Sequence, residues 1–599
     1  VLVVLAAVDY FITVREFNDI RDNLGLITLS NQRIAELQNI VARSRDLYLL
    51  NLGISPNGTT EAQLKASIEA STTAVKQIVD ALQLDTLPLS AEHQNLLQTN
   101  TTVMQLLVST DTTSTTAFNL DQATLQVISR ALNVKNTNLT GIVDNNTDLY
   151  FVTYNNFNDF YIGLRKSSEL YVIELIDRTI SKQTIFMILL IVSAVALIFA
   201  LIILFPVLRR VNKTREEVLS LFLDIPEKTV KGLYAKCENF ISNLQVGEDD
   251  DMVSELDDDG SEKANDDAES ADFHQRKKRK RFKNSGKSQR QFFLRFLFAA
   301  CCIEAYFITD FFLSKNLLDE VNSIVDEYNS TSVAESFYSF VNNAERQMMI
   351  NNKYPILKQD AQQVSVDNIK KMYYLDSEIH QEHSVNIKIH AQTYIDYFNH
   401  VMMNNPCDLL TQWVTANSCA TFADGAVYQG MAVDLTRHFE NLRYLLILYV
   451  NNFNNASLPF PDATVNFTTV YTPPYFGNNQ QKNNWLNILK TTQAIEVDNT
   501  QVIYIQNTFR LLMTQFKAGM DANFDKYITN RIILFIFFYV ILFGAYLVLW
   551  LPLVSKLNKD IWRTKSMLTM IPLNVVAKIK SVKAFLKKFW NERNIANYQ

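Results

Sequence analysis

The sequence predicts an all-α membrane protein built as a tandem repeat of transmembrane helix, extracellular helical bundle, transmembrane helix and cytosolic amphipathic helices. Two long apolar runs, residues 184–208 and 532–554, carry no charge, and each exceeds the ~20 residues that a helix needs to cross a bilayer. The same proline-containing pattern follows both runs. With only 14 Gly and 12 Pro in 599 residues, the composition favours long helices over a turn-rich β architecture.

The repeat is clearest where the two long runs end. Pro206 and Pro552 lie there, followed by Pro226 and Pro572, and the differences 552 − 206 and 572 − 226 both equal 346. Tyr-Phe-Ile-Thr occurs at residues 10–13 and 306–309, an offset of 296, so the second outer segment holds a net insertion of 346 − 296 = 50 residues. We interpret each proline pattern as a cytosolic elbow between helices.

Two further apolar runs complete four predicted spans. Residues 1–14 are too few to cross a bilayer and are interpreted as the end of a helix that starts before Val1. Residues 292–313 form a span interrupted by Arg295, Glu304 and Asp310. Basic residues cluster beside the spans at 209–215, 276–290 and 556–565. Because such clusters favour the cytosolic side, segments 15–183 and 314–531 are predicted to lie outside.

Each outer segment is predicted to form its own helical bundle. Ile27, Ile34, Val41 and Tyr48 recur every seven residues, as in a helix packed against other helices. A later helix is predicted over residues 96–107. The predicted organisation is span 1–14, bundle 15–183, span 184–208, cytosolic helices 209–246, disordered loop 247–291, span 292–313, bundle 314–531 with an insertion, span 532–554 and basic cytosolic helices 555–599.

The cytosolic loop changes sharply in charge. Residues 247–272 are rich in Asp and Glu and contain no aromatic residue. This composition is typical of disorder. A basic run follows, and its place beside a span favours binding to anionic lipids; the alternative is a topology determinant alone. The predicted lipid-contacting residues are Arg276, Lys277, Lys278, Arg279, Lys280 and Arg281. With a net charge of −6 for the chain, we expect no nucleic-acid partner.

The outer segments carry three kinds of candidate site. Cys407 and Cys419 have eleven residues between them and suit a disulfide in an oxidising space. His380, His383 and His390 form a stripe that could serve as a metal site or pH switch, although surface histidines are the commoner case. Glycosylation sequons, which loops rich in Asn and Thr also produce by chance, begin at Asn57, Asn100, Asn138, Asn145, Asn329, Asn455 and Asn466.

Two acidic residues lie in the predicted spans beside the repeated Tyr-Phe-Ile-Thr. Asp9 directly precedes the first copy and Glu304 precedes the second by two residues. Because acids at membrane depth usually face a partner helix or cavity, we predict an interhelical role; the alternative is a wetted position at the interface. No phosphate loop, zinc-binding or nucleophile motif occurs, so we predict no catalytic residue, metal or cofactor.

The segments 222–226, 237–240 and 564–568, the last followed by Ile571-Pro572, resemble the C-terminal membrane region of TmcB/TmcC-like ciliate multi-pass proteins. That resemblance implies that a sensory domain, if the protein has one, precedes Val1. The order of span, outer bundle, span and cytosolic helix is also similar to that of bacterial chemoreceptors, by analogy only.

Together these features predict a non-enzymatic receptor or signalling protein that couples extracellular bundles to cytosolic helices. The alternatives are a structural or assembly-forming membrane glycoprotein and an auxiliary subunit of a channel or transporter. The expected location is the plasma or ciliary membrane. The expected partners are anionic lipids and either other proteins or further copies of the chain.

Overall fold

The computed structural model describes residues 2–55, 58–84, 88–109, 112–223, 270–350, 361–454 and 486–552, with a few single residues beyond them. About 86% of the structure is helical and strands are almost absent, in agreement with the all-α class. Two compact units emerge. The first contains residues 1–7, 188–311 and 532–599, and the second contains residues 8–187 and 312–531.

The described part of the first half of the chain contains six α-helices and a hairpin. They are α1 (Leu2–Asn51), α2 (Glu61–Leu84), α3 (Ala91–Gln98), β1 (Thr102–Ser109), β2 (Thr112–Phe118), α4 (Leu120–Asn136), α5 (Thr147–Asn155) and α6 (Asp159–Leu223). Side-chain caps set several helix starts. Ser90, Asn119 and Asn146 each accept a hydrogen bond from the backbone N–H three residues ahead, before α3, α4 and α5.

The antiparallel hairpin of β1 and β2 replaces part of the helix predicted over residues 96–107. The side chains of Met104 and Leu107, both in β1, are buried. The second strand is rich in threonine, whose branched β-carbon favours strands. The Asn155 side chain also pairs with the backbone of β1. Its Oδ1 accepts from Gln105 N at 2.8 Å, and its Nδ2 donates to Gln105 O at 3.0 Å. The apolar residues at 103, 104 and 107 fitted a helical period as well as a strand.

The described part of the second half is also mainly helical. It contains α7 (Ser270–Ile350), α8 (Ala361–Asn386), α9 (Gln392–Met403), α10 (Ala416–Thr421), α11 (Met431–Asn454), α12 (Thr492–Asn499) and α13 (Gln506–Ala545). A π-helical turn, Thr500–Ile505, joins α12 to α13. The basic run at 276–281 lies within α7, so residues 270–291 are helical where composition predicted disorder; residues 247–269 lie outside the described part of the chain.

Three helical stretches are long and apolar enough to cross a membrane among the described residues. They are Asp159–Ile203, Leu294–Ile350 and Thr492–Val548, and they include most of the predicted spans at 184–208, 292–313 and 532–554. The run at 1–14, predicted as a truncated span, is not among them. Many apolar side chains in these stretches, such as Ile198, Phe298 and Phe537, are exposed, as expected of surfaces that face lipid.

The first unit has a small apolar core. Leu197, Phe307 and Phe538 are buried in it, and Tyr306 packs against Phe538 with ring centroids 4.4 Å apart. Ala6 belongs to the same core. The repeated Tyr-Phe-Ile-Thr therefore supplies two of its aromatic side chains.

The second unit contains helices from both outer segments. Side chains of α1 bond directly to α7: Thr28 Oγ1 lies 2.6 Å from Tyr328 Oη, and Asn31 Nδ2 donates to Ser332 Oγ at 3.0 Å. Arg45 Nη1 donates to the Asn343 carbonyl at 3.1 Å. These contacts form a polar seam between α1 and α7, so the two outer segments complete each other's core. Several buried polar residues of each helix therefore find a hydrogen-bond partner on the other.

Candidate functional site

Two histidines and a glutamate meet inside the second unit. His383 Nδ1 lies 3.0 Å from Glu327 Oε1, and His390 Nε2 lies 2.7 Å from Glu327 Oε2. All three residues are buried. Asn386 Nδ2 donates to Glu327 Oε2 at 3.1 Å, and Asn386 Oδ1 accepts from Ser323 Oγ at 2.7 Å. We call Glu327, His383 and His390 the Glu–His cluster.

The local sequence explains how the cluster forms. His383 and Asn386 lie in the last turn of α8, and His390 follows the end of that helix, before α9 begins at Gln392. The chain therefore folds back far enough for both imidazoles to face α7. Their rings are stacked with centroids 5.2 Å apart, and His383 also stacks on Phe398 at 3.7 Å.

The electrostatics of the cluster favour an ionised glutamate. Burial alone would raise the pKa of Glu327, but hydrogen bonds from His383, His390 and Asn386 outweigh it, so that the pKa lies below its ordinary value. A buried carboxylate satisfied by three donors is stable only while those donors stay in place. The nearest ligand atoms of the three residues all lie within 4.8 Å of one another, which is close enough to hold one metal ion.

Of the predicted histidine stripe, the structure brings His383 and His390 together and places His380 elsewhere. His380 Nε2 lies 3.9 Å from Asp376 Oδ1. Sequence reasoning missed Glu327, which is 56 residues from His383 and lies within α7. Only the pairing of α7 with α8 identifies it. The one local signal in the sequence was an acidic residue beside the apolar residues of the same helix.

A smaller counterpart occurs in the first half. His93 Nδ1 lies 3.2 Å from Glu174 Oε1, and His93 Nε2 lies 2.9 Å from Ser167 Oγ. Burial would raise the pKa of Glu174, but hydrogen bonds from His93 and Ser90 lower it overall. Only one imidazole contacts this carboxylate, so the pair lacks the second nitrogen ligand of the Glu–His cluster.

A cavity of about 640 Å³ opens beside the α1–α7 seam, between the start of α6, the middle of α7 and α8. Tyr161, Phe340 and Tyr374 supply aromatic walls, and the rings of Tyr161 and Phe340 stack with centroids 4.0 Å apart. Arg165 Nη1, Asn368 Nδ2 and Tyr161 Oη are buried without a hydrogen-bond partner among the described residues. Lys371 lies in the same wall, as do Asp159 and Glu378.

Both predicted intramembrane acids contact other helices. Asp9 Oδ2 accepts from Arg531 Nη2 at 3.3 Å, and both side chains are buried in the second unit. In the first unit, Ser193 Oγ lies 3.5 Å from Glu304 Oε1. Each contact joins residues of different helices.

The other predicted sites are placed as follows. Cys407 and Cys419 form a disulfide with Cα atoms 5.7 Å apart. The sequon residues Asn100, Asn138 and Asn145 are exposed, whereas Asn329 is half-buried inside α7. Asn57, Asn455 and Asn466 lie outside the described residues, as do the side chains of the basic run Arg276 to Arg281.

No family model, curated protein or solved structure matches this chain. The resemblance to TmcB/TmcC-like proteins therefore has no support from these comparisons. The cavity and the Glu–His cluster must be interpreted from their own chemistry.

Proposed function

We propose that the chain is a non-enzymatic membrane receptor that binds a small ligand in the cavity between α6, α7 and α8. One observation carries this proposal. The cavity is lined by residues of α6 and α7, and these two helices contain two of the three candidate membrane-spanning stretches. A ligand there would contact both helices at once, within the segments predicted to lie outside the cell.

The lining of the cavity points to an aromatic carboxylate as the class of ligand. Buried polar groups are normally hydrogen-bonded, and leaving a donor unpaired costs about 1–3 kcal/mol. Arg165 Nη1 and Asn368 Nδ2 are such donors on residues that line the cavity, and a rotation of each side chain would let a carboxylate accept from both. The rings of Tyr161, Phe340 and Tyr374 suit an aromatic group by stacking.

The polar interior of the bundle suits a protein with two packing arrangements. Arg346 lies 3.1 Å from Asp498 and 3.7 Å from Asp46, and Arg510 bonds to both Glu335 and Glu36. Buried ion pairs contribute little to stability but can specify helix register. A shift of α7 against α1 and α13 would exchange such partners in discrete steps, which is a recognised form of signalling transition.

The order of helices supports the proposed duplication. The helices α2 and α8 begin at 61 and 361, and α3 and α9 at 91 and 392, which are offsets of 300 and 301. The offsets between the starts of α5 and α12 and of α6 and α13 are 492 − 147 = 345 and 506 − 159 = 347. These values follow the sequence offsets of 296 and 346, and α10 and the disulfide lie in the added material.

The proposal keeps the orientation predicted from the basic flanks, with residues 15–183 and 314–531 outside the plasma or ciliary membrane. The disulfide and the exposed sequons at Asn100, Asn138 and Asn145 are consistent with an oxidising outer space. The basic run from Arg276 to Arg281 is proposed to contact anionic lipids on the cytosolic face.

The test is thermal unfolding of the purified full chain in detergent with indole-3-acetate, phenylacetate and benzoate. At least one of these acids is expected to raise the Tm of the wild type. Arg165→Gln should abolish that rise, because the carboxylate loses its charged partner. Lys166→Gln is the matched control, since Lys166 is exposed and only pairs with Glu92, and it should respond like the wild type. A wild type with no rise for any of the acids would contradict the proposed ligand class.

A further inference from the structure

We propose that Glu327, His383 and His390 bind a divalent transition-metal ion of the zinc type. This inference does not depend on the receptor proposal. Two imidazole nitrogens and one carboxylate oxygen form a ligand set that zinc accepts, with a fourth position left for water. The ligand atoms come from two helices and the turn after α8, so a bound ion would fasten α7 to the α8–α9 connection.

The spacing of the ligand atoms is close to that of a metal site. In a tetrahedral zinc site with bonds near 2.0–2.1 Å, neighbouring ligand atoms lie about 3.3 Å apart. The two nitrogen–oxygen distances here are 3.0 and 2.7 Å, each to a different oxygen of Glu327, and the three ligand atoms lie within 4.8 Å of one another. Changes in separation of at most about 1.5 Å would therefore give the tetrahedral spacing. Both imidazoles already direct a nitrogen at the same carboxylate.

The residues around the cluster hold it in place. Asn386 donates to Glu327 and accepts from Ser323, which fixes the carboxylate from its outer side. Tyr394 contacts His390 with ring centroids 4.8 Å apart, and Phe398 stacks on His383. Phe516 closes the third side at 5.2 Å from His390. Such an aromatic shell limits the access of water to the ligands and orients both rings.

The charge around the cluster favours a cation. Asp326 and Glu382 are the chain neighbours of Glu327 and His383. Their negative charges favour a divalent cation in the cluster. Lys388 is the basic residue between the two histidines in sequence, and it is exposed.

The first-half counterpart supplies a control within the same chain. His93 and Glu174 are buried and hydrogen-bonded as the cluster is, but the second ring nitrogen of His93 is engaged by Ser167 and no second imidazole is present. We therefore expect this pair to bind no metal. A His93→Gln variant reproduces the loss of a buried histidine without touching the cluster.

The experiment measures metal binding to the purified full chain after removal of metal with a chelator. Zn²⁺ is titrated by calorimetry, and Co²⁺ is added separately to obtain the visible absorption of a tetrahedral site. One equivalent of Zn²⁺ should bind. His383→Gln and His390→Gln should each weaken binding by about 100-fold or more, because loss of an outer-shell partner alone costs 10–100-fold. His93→Gln should bind like the wild type.

A second measurement covers the case in which the variants do not fold. Zn²⁺ should raise the Tm of the wild type in a concentration-dependent manner, and chelator should reverse the rise. The proposal is overturned if the wild type shows neither saturable binding nor a shift in Tm. It is also overturned if folded His383→Gln and His390→Gln variants bind Zn²⁺ with unchanged affinity.

Discussion

Arg531 donates a hydrogen bond from Nη2 to Asp9 Oδ2 at 3.3 Å, although the two residues are 522 positions apart in the sequence. Arg531 Nη1 also donates to Ser314 Oγ at 3.0 Å. This one side chain therefore joins α13 to α1 and α7. Both members of the pair are buried, so neither charge is screened by water.

Loss of Arg531 should be costly because it leaves Asp9 buried without its charged partner. We expect Arg531→Met to lower the free energy of unfolding by about 3–5 kcal/mol. The double variant Asp9→Leu/Arg531→Met should recover part of this loss, since no buried charge is left alone. Chemical denaturation in detergent measures both.

Arg21→Met is the matched control for that experiment. Arg21 pairs with Asp525 at 3.6 Å near the surface of the same unit, where the two side chains are 35% and 70% exposed. Its loss should change stability by less than about 1 kcal/mol. Equal effects of Arg21→Met and Arg531→Met would contradict a special role for the buried pair.

Asp434 should make the bundle less stable as the pH rises. Burial, aided by the charge of Glu496, raises the pKa of Asp434 to about 7. Both of its carboxylate oxygens lack a hydrogen-bond partner among the described residues. Between pH 4 and 7 the folded chain therefore holds a proton that the unfolded chain has released, and stability falls with rising pH.

Asp434→Asn should remove this fall. At pH 8 the variant is expected to be more stable than the wild type, by at most about 4 kcal/mol, and at pH 4 the two should be similar. Thermal unfolding across this pH range measures the difference. Asp396→Asn, at an exposed position on α9, should leave the pH dependence unchanged. A wild type whose stability rises from pH 4 to 7 relative to Asp434→Asn would refute the assignment.

Gly430 is required where the chain enters α11. Its φ is 116°, and a Cβ at this position would lie 2.6 Å from the Met402 carbonyl oxygen. Gly430→Ala should therefore lower stability by about 3 kcal/mol through strain and a backbone clash. Gly53→Ala is the matched control, because Gly53 also has a positive φ of 78° but open space around it. It should cost only about 1–2 kcal/mol, and equal losses would argue against the clash.

The sequence predicted most helices because their apolar periodicity is local. Ile27, Ile34 and Val41 mark the buried face of α1, and all three are fully buried. The hairpin was missed because Met104 and Leu107 fit either period, while the pairing that selects a strand involves β2 and Asn155. The spacing of Cys407 and Cys419 was local enough to predict their disulfide.

The packing of the two outer segments could not be read from local patterns. Thr28 and Tyr328 are bonded across 300 residues, and nothing near either one shows whether its partner lies in its own segment or the other. The Glu–His cluster has the same origin. His383 and His390 were visible as a stripe, but Glu327 becomes their partner only through the contact of α7 with α8.

The receptor proposal is tested most directly by the distance between α6 and α7 at Ile198 and Phe298, both exposed in the first unit. Spin labels on cysteines at these positions, with Cys237, Cys301 and Cys302 replaced by serine, report that distance by electron–electron double resonance. The aromatic carboxylate that raises the Tm should shift it by about 1–2 Å, the size of helix movements in signalling proteins, and Arg165→Gln should not respond. Unchanged distances with the ligand bound would contradict the proposal.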